Sequence, residues 1–161
     1  MDYKIEHKAA FTLTGYGTSL EAAFAGGKTD FAAIAAQKAS FWNGLIDDGR
    51  FHKLKKVAKN TLEWSVNEVY QGKPWNYFAV ETASEIADAT RLVEFPDSDY
   101  VVIEGTGDAA TLFDMLAGQA FGQILPALTD YAYVGGPNGT YRAENADGSY
   151  SGAILIPVVA K

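Results

Sequence analysis

The chain has no cysteine, only two histidines, and 13 basic residues against 20 acidic ones. Without cysteine there is no disulfide scaffold, no thiolate metal site and no cysteine nucleophile. His7 and His52 lie far apart in the sequence, not at metal-ligand spacing, and read as surface residues. A Gly-x-Ser-x-Gly nucleophile elbow is missing too. The net charge of −7 argues against direct nucleic-acid binding, which relies on Lys and Arg neutralising phosphates. Arg50, Lys53, Lys55, Lys56 and Lys59 do crowd one stretch, but they follow a helix C-terminus, where cations are favoured, and read as a solvated face. No apolar run approaches the roughly 18 residues needed to span a bilayer. The start Met1-Asp2-Tyr3-Lys4 has no apolar signal region. The expected location is the cytoplasm, with no membrane association and no cofactor.

What is present is aromatic. Nine Tyr, nine Phe and three Trp make up 13% of 161 residues, and 48% of the chain is hydrophobic, enough for the core of one domain. Tyr and Trp join an apolar body to a polar handle, which suits half-wet binding sites, although a β-rich core asks for the same residues.

Hydropathy patterning gives the elements. Tyr3 to Leu13 reads as a strand broken by Gly15-x-Gly17, followed by a Gly- and Ala-rich loop over Ala22 to Gly27. Thr29 or Asp30 caps a helix whose stripe is Phe31, Ile34, Ala35, Phe41, Trp42, Leu45 and Ile46. Asp47-Asp48-Gly49 ends it, with Gly49 in the left-handed position. Strands Thr61–Tyr70 and Trp75–Glu81 flank a turn at Gly72-Lys73-Pro74, and a polar linker runs from Thr82 to Ala89.

The second half echoes the first. Arg91–Phe95, a turn at Pro96-Asp97-Ser98 and Tyr100–Glu104 form strand. Asp108 caps a helix carrying Leu112, Phe113, Leu116, Ala120, Ile124 and Leu125, which Pro126 terminates. Tyr131–Val134, a turn over Gly135 to Gly139, a hairpin at Asp147-Gly148 and a last strand Ala153–Val158 complete it. Leu13-x-Gly15-x-Gly17 recurs as Ile103-x-Gly105-x-Gly107, and Phe41-x-x-x-Leu45 as Phe121-x-x-x-Leu125. The prediction is one α+β domain over 1–161, built from two β-α-β-β units (about 1–83 and 88–161) related by a pseudo-twofold axis. Its curved, mostly antiparallel sheet carries both helices on one face and a ligand cleft on the other.

Candidate ligand-binding residues are Trp64, Trp75, Tyr77 and Glu81 in the first half, and Glu104, Tyr133 and Tyr141 in the second. Trp42 is placed behind the cleft as a plug. A Glu facing such a cleft favours a cationic guest, because a buried carboxylate needs a partner and aromatic faces attract cations.

The opening Tyr3-Lys4-Ile5-Glu6-His7-Lys8-Ala9-Ala10-Phe11-Thr12-Leu13-Thr14-Gly15 resembles the start of GyrI-like domains. That family includes effector-binding domains of AraC-type and multidrug-sensing bacterial transcription regulators. Phe41-Trp42, Asp48-Gly49, Val80-Glu81, Phe95-Pro96, Tyr100-Val101-Val102 and Ile154-Leu155-Ile156-Pro157-Val158 follow in the family's order. The resemblance implies the duplicated fold and a stand-alone binder of hydrophobic, often cationic compounds, with no room at either end for a DNA-binding helix-turn-helix. Family members typically place a pocket Glu two residues before a Tyr ahead of the last hairpin. Here Gly139 precedes Tyr141, so Glu81 or Glu104 would have to substitute, or the guest is neutral.

The resemblance implies three functions, in order of preference. The first is a sensor or sequestering module for an aromatic or amphipathic small molecule. The second is a hydrolase of reactive strained-ring compounds, pairing Glu81 or Glu104 with Tyr133 or Tyr141. The third is a protein that inhibits DNA gyrase through its acidic surface. No particular protein partner is indicated.

Overall fold

The computed structural model describes residues 2–21, 30–82 and 91–161. The expected Ala22–Gly27 loop, the Thr29 cap and all of the Thr82–Ala89 linker except Thr82 lie outside them. The first half runs β1 (Lys4–Lys8), β2 (Phe11–Ser19), α1 (Phe31–Asp47), α2 (Arg50–Lys56), β3 (Glu63–Tyr70) and β4 (Lys73–Val80). The second runs β5 (Arg91–Phe95), β6 (Ser98–Gly107), α3 (Leu112–Gln119), a π-helical turn (Ala120–Ile124), α4 (Leu125–Ala127), β7 (Tyr131–Ala132), β8 (Asn138–Glu144) and β9 (Tyr150–Ala160).

Strand order is β1-β6-β9-β8-β3-β4-β2-β5, antiparallel throughout, with β7 pairing on β9. The order reads the same from both ends once β1 is matched with β5, β2 with β6, β3 with β8 and β4 with β9. This is the expected pseudo-twofold duplication, with its axis between β3 and β8. Each half also exchanges a short leading strand: β1 pairs with β6, and β5 with β2. The stretch read as one strand from Tyr3 is therefore two, which part at Ala9-Ala10 to join opposite ends of the sheet.

The sheet curls into a half-barrel. Phe11 on β2 lies 6.3 Å from Tyr100 on β6, although four strands separate them in the sheet. The inner face is a core of Leu13, Trp64, Val66, Tyr77, Val93, Phe95, Tyr100 and Leu155. The helices lie on the outer face. There α1 and α2 pack Leu45, Phe51 and Leu54 on Tyr16, Phe78 and Val80, while α3 packs Leu112 and Leu116 on Ile103, Ile154 and Ile156.

Several local expectations change. Gly15 and Gly17 do not break β2, which runs through both. A Cβ on Gly15 would meet Phe78 O at 2.5 Å, and one on Gly17 would enter the Tyr77 ring, so these glycines permit close approach. The Leu13/Ile103 echo is not a structural equivalence, because Leu13 faces inward and Ile103 outward. An even offset of this kind differs by one residue from one that preserves the face. The hairpin turn is Gln71-Gly72, both at positive φ (53° and 76°), a two-residue turn that leaves Lys73 and Pro74 inside β4. Asn138 and Gly139 likewise belong to β8, and Tyr133 and Val134 lie beyond the end of β7.

Asp30 caps α1, its side chain accepting from Ala33 N at 3.0 Å. Gly49, at φ 79°, separates α1 from α2. Of the α1 stripe only Leu45 is buried, with Phe41 and Trp42 half-buried beside it, while Phe31 is 78% exposed and Ile46 is exposed too. Asp108 ties the loop before α3 by accepting from the Ala110 and Thr111 amides, and Thr111 holds the cap position itself. No helix among the described residues is long and apolar enough to cross a membrane.

Candidate functional site

The alternation of β3 and β4 sets what each face offers. Trp64 pairs with Ala79, Val66 with Tyr77 and Glu68 with Trp75, all directed to the inner face. Tyr141 reaches the same face from β8, its ring 5.2 Å from Trp64. Phe11 stacks on Phe95 at 4.6 Å, and Trp75 on Tyr77 at 6.1 Å. The indole N–H groups of Trp64 and Trp75 are buried without a hydrogen-bond partner among the described residues. Each is a donor that an incoming acceptor would satisfy. Gly139 also faces this side, and a Cβ there would lie 3.1 Å from both Phe95 and Trp64. These rings occupy the space a pocket Glu would need.

At one edge of the aromatic interior lies a hollow of about 790 Å³, bordered by Phe11, Phe95, Lys59, Glu81, Glu94 and Pro137 among others. Glu81 accepts from Asn60 Nδ2 at 3.3 Å, and Lys59 Nζ stands 3.9 Å from it. Two carboxylates against one ammonium leave this mouth acidic.

The other expected residues are placed apart from it. Glu104 is on the inner-face side of β6 but 60% exposed at the sheet's end, where it pairs with Lys4 at 2.7 Å. The register sets it in one row with Ala153 and Tyr141. Tyr133 packs on the α3 side against Phe121, and its hydroxyl donates to Gly136 O at 2.8 Å. Trp42 is on the outer face, against Phe51 and Phe78, so it is not behind the inner-face cluster.

None of the Glu81 or Glu104 pairings with Tyr133 or Tyr141 is hydrogen-bonded among the described residues. The carboxylate–phenol pair that does form was not anticipated. Tyr77 donates to Glu68 at 3.1 Å, and Arg91 holds the same carboxylate at 2.7 Å while stacking on Tyr70 at 3.6 Å. Burial is the main cause that pushes the Tyr77 phenol far above its ordinary range, with the Glu68 charge adding to it. This phenol is held as a hydrogen-bond donor.

A second concavity, of about 440 Å³, lies on the outer face between α1 and α3. The two helices sit over the flanking strands, and β3 and β8 form the floor of the groove between them. There the outward residues are polar, with Ser65 opposite Thr140 and Glu63 opposite Arg142. Alanines 35, 39, 109, 110 and 117 keep the walls low, and Trp42 and Phe113 supply aromatic surface. Of the eight candidate residues, only Trp42 lines this groove. The signal for it was the polar alternation Ser65-x-Asn67 and Thr140-x-Arg142 on strand faces that helix cover would have made apolar.

The sequence model of Cass2, the integron-associated effector binding protein, matches residues 4–158. The chain belongs to this effector-binding family. No curated protein sequence matches it significantly. Among solved structures, SAV2435 bound to tetraphenylphosphonium is similar over 99% of this chain and 94% of its own, at 19% identity and a TM-score of 0.76. A putative transcription regulation protein from Staphylococcus aureus MU50 is similar over 98% of both chains, at 19% identity and a TM-score of 0.71. The integron cassette protein VCH_CASS2, from the mobile metagenome of Vibrio cholerae, reaches a TM-score of 0.64 at 12% identity, over 98% of this chain and 95% of its own. The shared architecture is the GyrI-like effector-binding fold, and binding of small molecules is this family's role.

Proposed function

We propose that the protein is a cytoplasmic sensor or sequestering module that takes a hydrophobic aromatic cation at the inner-face mouth. The observation that carries this reading is an acidic hollow bordered by the stacked Phe11 and Phe95 rings at the edge of the aromatic interior. A guest in the hollow meets the Phe11 and Phe95 rings with Glu81 and Glu94 at the rim, and the Trp64 and Tyr141 rings lie behind those two phenylalanines in the same core cluster. Each ring facing a cation contributes about 0.5–2 kcal/mol, depending on desolvation. Several such contacts plus apolar burial reach the roughly −8 kcal/mol of micromolar affinity. The lipophilic cation bound by SAV2435 has this chemistry.

Intrinsic tryptophan fluorescence, titrated with tetraphenylphosphonium, tests the proposal. Saturable quenching is expected, weakened several-fold in Glu81→Gln and further in Phe11→Ala. Unchanged affinity in both variants, with folding intact, would rule out this mouth as the site.

A further inference from the structure

Arg142 is only 4% exposed, an unusual place for a guanidinium. It lies at the floor of the outer-face groove, 4.6 Å from the Phe113 ring centroid and 5.2 Å from that of Trp42, so it spans both aromatic walls. A guanidinium carries five N–H donors. Its Nε donates to Glu63 Oε1 at 3.1 Å and Nη1 donates to Ala109 O at 2.6 Å. The other three N–H bonds have no protein acceptor among the described residues, and the groove is the space beside them.

The local charge is positive. Glu63, the partner of Arg142, is shared with Lys55, whose Nζ stands 2.8 Å from its other oxygen. One carboxylate therefore serves two cations. Lys38 lines the α1 wall with no carboxylate within ion-pair distance among the described residues. Burial holds its ammonium below the ordinary lysine range, with Asp114 opposing that shift from the α3 lip. Of the charged side chains that line the groove, Arg142 and Lys38 are cations and Asp114 is the carboxylate, while Glu63 beneath the floor is shared between Arg142 and Lys55. This balance is opposite to that of the inner-face mouth, in a protein whose net charge is −7.

We propose that the groove between α1 and α3 is a second ligand site, selective for planar aromatic anions such as aryl carboxylates. A carboxylate on the floor accepts from the free edge of Arg142, the paired geometry for which guanidinium is suited. Its ring lies between Trp42 and Phe113, over the polar floor of Ser65 and Thr140. A volume of about 440 Å³ falls within the usual range for small-molecule sites. An aromatic cation of the same shape would meet Arg142 and Lys38 and be repelled. The site shares no lining residue with the inner-face hollow, so this inference stands independently of the proposed cation site.

The test uses three matched probes on the full chain: 2-naphthoate, 2-naphthylmethanol and 2-naphthylmethylammonium, followed by calorimetry. Naphthoate should bind at least about tenfold more tightly than the ammonium, as expected for hydrogen bonds to a charged donor. Lys38→Gln should weaken naphthoate several-fold, and Ala39→Leu, which fills the groove, should abolish its binding. Both changes lie on α1 away from the folding core, so neither depends on Arg142→Gln, which disturbs a buried ion pair. Naphthoate and tetraphenylphosphonium should not compete. Absence of naphthoate binding, equal affinity for the three probes, indifference to both α1 variants, or competition with tetraphenylphosphonium would each overturn the groove site. Failure of tetraphenylphosphonium alone would sink only the inner-face proposal.

Discussion

Replacing Glu63 with Gln should destabilise the protein out of proportion to the small change in shape. Glu63 is the carboxylate partner of Arg142, with only 12% of its own side chain and 5% of Arg142's exposed. Breaking a buried pair by neutralising one partner costs about 3–5 kcal/mol where both charges are fully enclosed. Here Gln still offers an amide oxygen to Nε, and the groove admits water to the guanidinium edge, so about 2–3 kcal/mol is expected by discounting that range. For a chain of this size that corresponds to a melting shift of about 4–12 °C. Urea unfolding of the native protein, Glu63→Gln, Arg142→Met and the double variant measures it. The double variant should be less destabilised than the two single changes summed, because it leaves no buried charge unpaired. An effect below about 0.5 kcal/mol for Glu63→Gln would refute the reasoning, placing Arg142 in contact with enough water to need no partner.

Two further changes probe other parts of the fold. His7 on β1 faces Asp99 at 3.0 Å and Asp97 at 2.9 Å. The Asp99 hydrogen bond foremost, with the Asp97 charge, raises its pKa above the ordinary 6.5. Stability from this contact is therefore complete below about 6.5 and lost as pH rises through the higher folded value. The urea midpoint should decline from about pH 6 to pH 8 more in the native protein than in His7→Gln; parallel profiles would remove His7 from the account. Gly17→Ala sets a methyl in the Tyr77 ring and should cost about 1–3 kcal/mol by overpacking, read as a lower denaturation midpoint. A neutral result would mean that Tyr77 moves aside freely, in conflict with its bond to Glu68.

Much of the fold was legible because its signals are local. Gly49 marks the helix end through its own φ, Asp30 caps through its own side chain, and the alternation of Trp64, Val66 and Glu68 assigns a face residue by residue. The errors lie where a distant contact decides. Gly15-x-Gly17 has the composition of a break, yet it is strand because Tyr77 and Ala79 need its bare backbone. Ala9-Ala10 has no turn signature, yet the chain parts there because β1 finds its partner in β6, about 90 residues away. The Leu13/Ile103 echo matched letters but missed the face by one residue, whereas the order of elements carried the duplication correctly.

The groove shows what this order implies once the axis is placed. A duplicated sheet with one helical layer per half sets its helices over the flanking strands and leaves the central pair as the floor of the groove between them. Ser65, Asn67, Thr140 and Arg142 sit on that central strip, and the two ends of the strip differ. At one end Glu63 meets Arg142; at the other, Asn67 donates to Asn138 at 3.3 Å. The backbone symmetry is thus broken by side chains into an ionic end and a neutral end. A symmetric groove would orient a guest in two equivalent ways, whereas this one has the Arg142 guanidinium at one end of its floor, beneath Trp42 and Phe113, and Lys38 on one wall alone. Orientation as well as sign is therefore set by Arg142, and a guest with its charge at one end of a flat ring system fits where a centrally charged one does not.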